Sequence, residues 1–165
     1  MRPRSKYPFV VAEMGANHCQ NLDRALAIVR ASKWAGCDAV KLQTYGTDGM
    51  VHRNEQYRIQ GGPWDGESLT SLYERCSLPW SWHEKIFQAG READIPVFST
   101  PFEPAAVDFL ERLNCPMYKI ASLEILDIEL IDKVTRTGKQ VIISTGGATL
   151  QEIDEAVEAY RHAGG

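Results

Sequence analysis

The sequence contains no apolar run long enough to cross a bilayer, no low-complexity tract and no excess of basic residues. Its 18 basic residues stand against 22 acidic ones, and the formal net charge is -4. Such a balance excludes a general positive field that would attract nucleic acid or an acidic membrane surface. The N-terminal stretch 1–6 leads into an apolar segment too short for a secretory signal core. We therefore expect a cytoplasmic protein without a nucleic-acid or membrane partner, in which any anion site is local.

Cysteine and histidine are sparse, and neither forms a recognisable disulfide or metal pattern. The cysteines are far apart with no C-x-x-C pair, which favours incidental thiols over a disulfide frame or a zinc site. The histidines are equally scattered, so the sequence predicts no metal motif among its own residues. The residues concerned are Cys19, Cys37, Cys76, Cys115, His18, His52, His83 and His162.

Short apolar strands alternate with amphipathic helices along the chain, and with 44% hydrophobic residues the chain can bury one core. Asn21 is placed to cap the first helix, and Thr149 with Glu152 forms a predicted capping box before the last. Strands are predicted at 9–12, 39–43, 95–99, 117–120 and 140–144, and helices at 22–35, 69–75, 81–93, 104–113, 128–136 and 149–162.

Repeated β-α units of this kind predict a parallel sheet covered by helices. Polar residues recur at the C-terminal ends of strand after strand, which is where (β/α)8 barrels place their active sites. A doubly wound sheet usually has a Gly-rich first turn, and the segment 13–17 is not G-x-G-x-x-G. The barrel is therefore favoured. Because such a barrel takes about 250 residues, residues 1–165 predict one incomplete barrel of about five β-α units.

Predictions also follow for the long segment after the second strand and for two tryptophans. The stretch 44–68 is rich in Gly, Asp, Asn and Gln and is too long for a plain connection, so it is predicted to be a functional lid or binding loop. Trp80 and Trp82 are expected to pack against the hydrophobic core rather than to stack on a ligand.

Lysines inside apolar strands are the strongest functional signal. Lys119 lies in the apolar stretch 116–124, which ends on Ser122 and Glu124. Burying an ammonium is costly without a partner, so Lys119 indicates either a bound anion or a neighbouring carboxylate; a lysine reaching solvent from a strand end is the alternative. Lys41 repeats the pattern, and the strands at 95–99 and 140–144 end near hydroxyls. The repetition favours a shared anion site.

Several stretches, taken in order, resemble the sialic acid synthase family. The long loop and the segments around Tyr73 and Trp80 are most similar to its pseudaminic acid synthase branch. The resemblance implies a (β/α)8 barrel that condenses phosphoenolpyruvate with an acetamido-sugar aldehyde and releases phosphate, using a divalent metal such as Mn or Mg. The stretches that carry it are AEMGANH at 12–18, KLQTY at 41–45, FSTPF at 98–102, YKIASLE at 118–124 and ISTG at 143–146.

The resemblance also implies roles for individual residues. Lys41 and Lys119 would neutralise the phosphate and carboxylate of phosphoenolpyruvate. Hydroxyl groups would donate hydrogen bonds to the same anions, from Thr100, Ser122 and Ser144.

Carboxylate and amide side chains would contact the sugar substrate. Glu13 and Glu124 are implied to hold it and to move protons, with Gln43 and Asn17 as polar contacts. For each glutamate the alternative is an ordinary strand-end carboxylate paired with a nearby lysine. His18 could in principle join Glu13 at a metal, but one imidazole and one carboxylate make a weak site, so a surface or substrate-contacting His18 is expected.

The chain departs from the family pattern in ways that limit the expected activity. Cys19 stands where the family usually has asparagine or another polar residue, and Gly147 stands where methionine is common. The later strands, the metal-binding histidines and the C-terminal antifreeze-like domain of the family are missing from this sequence. We therefore expect the 165-residue chain to be inactive alone, with the metal ligands outside it. A non-catalytic anion-binding or association module is the alternative, and open sheet edges predict a homo-oligomer or a complementing chain.

Overall fold

A single five-stranded parallel sheet organises the computed structural model, which describes residues 7–51 and 58–165. The strands follow the order β1-β2-β3-β4-β5, and every neighbouring pair is parallel. The predicted α/β fold of about five β-α units is confirmed. The strands are β1 (Val11–Glu13), β2 (Ala39–Thr44), β3 (Val97–Pro101), β4 (Met117–Ile120) and β5 (Gln140–Ile143).

Helices connect successive strands, and a short 3₁₀ turn, which the sequence did not predict, follows β4 at Leu123–Leu126. The helices are α1 (Leu22–Trp34), α2 (Thr47–Met50), α3 (Leu69–Cys76), α4 (Trp80–Glu92), α5 (Pro104–Arg112), α6 (Ile128–Thr135) and α7 (Leu150–His162).

Local capping explains where several helices begin. The Asn21 side chain accepts a hydrogen bond from the Arg24 backbone N–H, as predicted. Thr149 and Glu152 form both hydrogen bonds of the predicted capping box at α7. Asp127 caps α6 in the same way by accepting from a backbone N–H. These helix starts depend on side chains within a few residues, which is why the sequence reveals them.

Strand boundaries shift where burial disagrees with apolar composition. The first strand begins at Val11 rather than at the predicted residue 9, because Phe9 and Val10 remain 60% and 46% exposed. In the middle of the sheet, all five residues of β3 are buried, and this strand extends to Pro101, beyond the predicted end. The core therefore centres on β3, with β1 and β5 at its margins.

Helix α4 packs closely on the centre of the sheet. A Cβ atom added to Gly90 would lie 2.5 Å from the Val97 side chain and 2.9 Å from the Ile95 carbonyl oxygen, so only glycine permits this approach. At the start of α4, Trp80 stacks on Phe109 with ring centroids 4.7 Å apart, and Trp82 packs edge-on to His18. The expected packing role of both tryptophans is confirmed.

The segment after β2 is partly described. It contains α2, and an isolated antiparallel bridge joins Arg58 to Ser68. The Glu103 carboxylate accepts a 2.7 Å hydrogen bond from the Gly46 N–H and so fixes the start of the segment. Residues 52–57 of the predicted lid or binding loop lie outside the described residues, and its function stays a prediction.

Among the described residues, no helix combines the length and the apolar character that a membrane span needs.

Candidate anion-binding site

Strand register places both strand lysines on one face of the sheet. Lys41 pairs with Glu13 on β1 and with Phe98 on β3. Paired residues of neighbouring parallel strands share a face, and successive residues alternate between faces. Thr100, two residues beyond Phe98, therefore lies on the face of Lys41, at the C-terminal end of β3.

The same reasoning identifies which residues of β4 and β5 lie on the face of Lys41. Ser99 pairs with Tyr118 on the helix-covered face, so Thr100 and Lys119 lie on the opposite face together. Lys119 in turn pairs with Ile142, which puts Ser144 on that face two residues further on. The site face thus carries one predicted group after another along the strand ends: Glu13, Lys41, Gln43, Thr100, Lys119 and Ser144.

Lys41 already has a partner. Its ammonium forms a salt bridge with the Glu13 carboxylate and donates a 3.4 Å hydrogen bond to the Thr100 hydroxyl. The other Glu13 oxygen accepts from the Gly15 N–H at 3.0 Å. The alternative of an ordinary ion pair is therefore observed for Glu13, and it leaves this carboxylate held between Lys41 and the loop after β1.

Lys119 has a different environment. Its ammonium donates only to the Ile120 carbonyl oxygen, at 3.2 Å, and within 7–51 and 58–165 no carboxylate forms a salt bridge with it. Burial and the nearby Lys41 lower the pKa of Lys119, and the charges of Glu13 and Glu124 oppose that shift. A half-buried cation that repels its cationic neighbour is an environment into which an anion fits.

The three predicted hydroxyl residues lie on β3 and in the segments that follow β4 and β5. Thr100 is 2% exposed and reaches Lys41. The Ser144 N–H donates to the Ile120 carbonyl oxygen at 3.0 Å, which anchors the chain as it leaves β5 beside β4. The Ser122 hydroxyl oxygen lies 2.9 Å from where a Cβ on Gly146 would be, so this serine faces the β5 exit loop.

The remaining predicted residues lie at the rim. Asn17 is exposed, and its side-chain amide donates to the Met14 carbonyl oxygen at 3.0 Å, which stabilises its own loop. Gln43 is half-buried on the face of Lys41. Glu124 lies in the 3₁₀ turn and acts on Lys119 through its charge alone, because the described part of the chain gives it no salt bridge. The roles of all these residues stay predictions.

The expected surface position of His18 is wrong, and its alternative role as a substrate contact stays a prediction. The side chain is fully buried rather than on the surface, because the loop after β1 folds it under Trp82. Its Nδ1 atom accepts from the Gln20 N–H at 3.1 Å, and burial lowers the pKa of His18. The described residues contain no group of three His, Cys, Asp or Glu side chains that could hold a metal ion. Glu13 and the buried His18 therefore do not fit the expected divalent metal.

Sequence reasoning missed a buried polar chain on the opposite face of β2 and β3. His83 Nε2 lies 2.8 Å from the Thr44 hydroxyl oxygen, which lies 2.6 Å from that of Ser99. All three side chains are fully buried. The one signal in the sequence is a hydroxyl at an apolar strand end on β2 and again on β3, and it does not reveal that the two meet.

Comparison with known proteins identifies relatives along nearly the whole chain. The NeuB family model matches residues 28–165. Pseudaminic acid synthase of Helicobacter pylori (strain ATCC 700392 / 26695) is 46% identical over 156 residues, which cover 93% of this chain and 46% of the relative. Pseudaminic acid synthase of Campylobacter jejuni subsp. jejuni serotype O:2 is 39% identical over 158 residues, covering 94% of this chain and 46% of the relative. The chain thus spans just under half the length of these curated relatives.

Solved structures agree on the fold. The N-acetylneuraminic acid (sialic acid) synthetase of Leptospira borgpetersenii serovar Hardjo-bovis, crystallised in complex with citrate, superposes with a TM-score of 0.82 at 25% identity. The match covers 94% of this chain and 50% of that one. The predicted incomplete barrel fits this likeness, because five consecutive β-α units occupy one half of the larger structure.

Proposed function

The chain belongs to the NeuB family, and on that premise we propose that it forms the phosphoenolpyruvate-binding part of a sugar acid synthase of nonulosonic acid biosynthesis. The observation that carries this proposal is Lys119, a half-buried ammonium without a carboxylate partner in the described residues, on the same sheet face as Lys41 and Thr100. Pseudaminic acid synthases among the relatives support a diacetamido sugar acid as the product class.

The two lysines suit the two anionic groups of phosphoenolpyruvate. A phosphate and a carboxylate joined through one carbon need cations a short distance apart, which neighbouring strands of a parallel sheet provide. Thr100, Ser122 and Ser144 can donate hydrogen bonds between and beside them. We propose that an arriving anion takes Lys41 from Glu13, so that both ammonium groups face the ligand.

In the proposed reaction, C3 of phosphoenolpyruvate bonds to the aldehyde carbon of the sugar, water adds at C2, and C–O cleavage releases phosphate. Glu13, once freed from Lys41, and Glu124 are the carboxylates available to hold sugar hydroxyls and to accept or return a proton. Gln43, on the same face of β2, and Asn17, in the loop after β1, are proposed as polar contacts to the sugar. Positioning and charge neutralisation are what these side chains contribute to the rate.

The 165-residue chain alone should bind phosphoenolpyruvate without turning it over. The complete enzyme is expected to use a divalent metal as a Lewis acid on the acceptor aldehyde, which supplies several kcal/mol. The described residues offer no ligand set for that ion. Binding without phosphate release would also characterise a non-catalytic anion-binding module. Phosphate release by a longer polypeptide that carries the remaining half of the barrel would distinguish the synthase from the anion-binding module.

Isothermal titration calorimetry with phosphoenolpyruvate tests the binding role. The wild-type chain should bind one equivalent, and Lys119→Gln should weaken binding at least about tenfold, because a charge-assisted contact to an anion is worth about 1.5–3 kcal/mol. Lys133→Gln is the matched control, because Lys133 pairs with Asp108 on the helical surface. Absence of saturable binding by the wild type, or equal binding by Lys119→Gln, would contradict the proposal.

A further inference from the structure

The buried chain formed by His83, Thr44 and Ser99 lies behind the candidate site and joins three elements that are distant in sequence. Thr44 ends β2, Ser99 lies within β3, and His83 belongs to the first turn of α4. Each side chain is fully buried, where an unmatched polar group is costly. Retaining three such groups requires that each one satisfies another.

The directions of these hydrogen bonds follow from their partners. His83 Nδ1 lies 3.2 Å from the Pro79 carbonyl oxygen, which can only accept, so Nδ1 carries the proton. His83 Nε2 must then accept from the Thr44 hydroxyl. With its proton committed, Thr44 accepts from the Ser99 hydroxyl at 2.6 Å. One proton arrangement therefore satisfies the whole chain.

The same helical turn also contacts Tyr45, the residue that follows β2. The Trp80 indole N–H donates to the Tyr45 carbonyl oxygen at 3.1 Å. On the other side, the Phe102 N–H donates to the Thr44 carbonyl oxygen at 3.2 Å, which links the end of β2 to the end of β3. Side-chain and backbone bonds thus converge on residues 44 and 45.

These contacts lie directly beneath the anion-binding groups. Thr44 follows Gln43, and Ser99 precedes Thr100, whose hydroxyl accepts from Lys41. Because neighbouring residues of a strand face opposite sides, fixing Thr44 and Ser99 from behind fixes the side chains presented in front.

We propose that His83, Thr44 and Ser99 are positioning residues that hold the C-terminal ends of β2 and β3 at the spacing the anion site requires. The inference rests on the proposed function of the strand-end site. It assigns no contact with the ligand to any of the three residues; they act through Lys41, Thr100 and Lys119.

Matched threonine variants test this role. Thr44→Val keeps the shape but removes the hydroxyl, whereas Thr44→Ser keeps the hydroxyl. Thr135→Val is the control, because Thr135 is also buried and its hydroxyl donates to a helix carbonyl oxygen away from the site. Ser99→Ala, a smaller change, replaces Thr44→Val if that variant does not fold. The readouts are the Kd of phosphoenolpyruvate and the pKa of the Lys119 ammonium measured by NMR.

We expect Thr44→Val or Ser99→Ala to raise the Kd about tenfold and to move the pKa of Lys119 towards its ordinary value, as the strand ends separate. Thr44→Ser should stay within about twofold of the wild type, and Thr135→Val should lose stability without either change. If Thr44→Val behaves like Thr135→Val, the positioning role is overturned.

The two proposals fail in different ways. Should the wild type not bind phosphoenolpyruvate, the proposed function falls, and the Lys119 titration in the same variants still decides the positioning role. A selective change in the pKa of Lys119 supports it, and an unchanged titration rejects it.

Discussion

Lys119 has an energetic cost in the free protein, because its ammonium is half-buried beside Lys41. Replacing it by methionine keeps the length of the side chain and removes the charge. We predict that Lys119→Met unfolds at the same or a higher temperature than the wild type at pH 7, while it loses anion affinity. Thermal unfolding with and without phosphoenolpyruvate measures both effects.

The size of this effect depends on pH. The pKa of Lys119 is lowered in the folded state, so the cost of its charge is fully present below that pKa and vanishes as pH rises through it towards the unfolded value. The stability gain of Lys119→Met should therefore shrink at alkaline pH. A variant less stable than the wild type at pH 7 would show that the ammonium has a stabilising partner.

His83 makes the fold sensitive to acid. Burial lowers the pKa of His83 from 6.5 to about 4, outweighing the opposing effect of the carbonyl groups of Pro79 and Trp80. The unfolded chain takes up a proton near pH 6.5 and the folded chain does not, so stability is lost as pH falls from about 6.5 to about 4. The full loss is about 3 kcal/mol.

Urea unfolding between pH 7 and pH 4 measures that loss. His83→Gln cannot titrate, so its free energy of unfolding should depend less steeply on pH over this range, whatever its stability at pH 7. The pH dependence of His18→Gln provides a comparison with a second buried histidine, because burial also lowers the pKa of His18. An unchanged slope in His83→Gln would mean that the pKa of His83 is the same in the folded and unfolded states.

At the scale of elements, α4 depends on one glycine. Gly90→Ala improves helix propensity by about 1 kcal/mol but forces a methyl group against Val97 and the Ile95 carbonyl oxygen. Overpacking of this kind costs about 1–3 kcal/mol. We therefore expect Gly90→Ala to be less stable than the wild type, or at best equally stable. Thermal unfolding compared with Gln88→Ala, an exposed change in the same helix, checks it. A clear gain in stability for Gly90→Ala would contradict the close packing.

The loop after β5 supplies a second element-scale prediction. An alanine at Gly146 would place its methyl group 2.9 Å from the Ser122 hydroxyl oxygen and displace that hydroxyl from the site. We expect Gly146→Ala to weaken phosphoenolpyruvate binding several-fold with little loss of stability, since the position is exposed. Gly49→Ala is the control, because its new Cβ lies at an ordinary 3.5 Å from Glu103. Calorimetry on both variants separates the site effect from a general glycine effect.

How far sequence reasoning reached depends on the range of each interaction. Caps such as Asn21 are read from a few adjacent residues, and β4 has the bounds predicted for it. Lys119 could be singled out because a cation inside an apolar strand is visible locally. The hydrogen bond between Thr44 and His83 joins positions 39 residues apart. The sequence around either residue does not indicate the other. His18 was misplaced for the same reason, since its burial comes from Trp82 on another element.

The whole molecule presents unpaired strand edges. In the described sheet, β1 and β5 each have one neighbouring strand, and apolar side chains near the β5 margin remain exposed, including Leu123 and Leu150 at 81% each. Such edges and patches recruit partners. We therefore expect a dimer or higher oligomer, or association with a chain that completes the barrel.

Light scattering at micromolar concentration measures this association. Leu123→Glu and Leu150→Glu should shift the chain towards a monomer. Trp34→Glu should not, because this side chain, 91% exposed, lies at the end of α1, away from β5. A monodisperse wild-type monomer would show that the open edges tolerate water without a partner.

Strand order in this sheet follows chain order, so each strand pairs with the strand made just before it. A polypeptide emerging from the ribosome can therefore add one β-α unit at a time to a sheet that already exists, without waiting for distant sequence. Each addition buries the previous edge and exposes a new one. Throughout synthesis the nascent chain carries a single advancing apolar edge, at which chaperone protection would matter most.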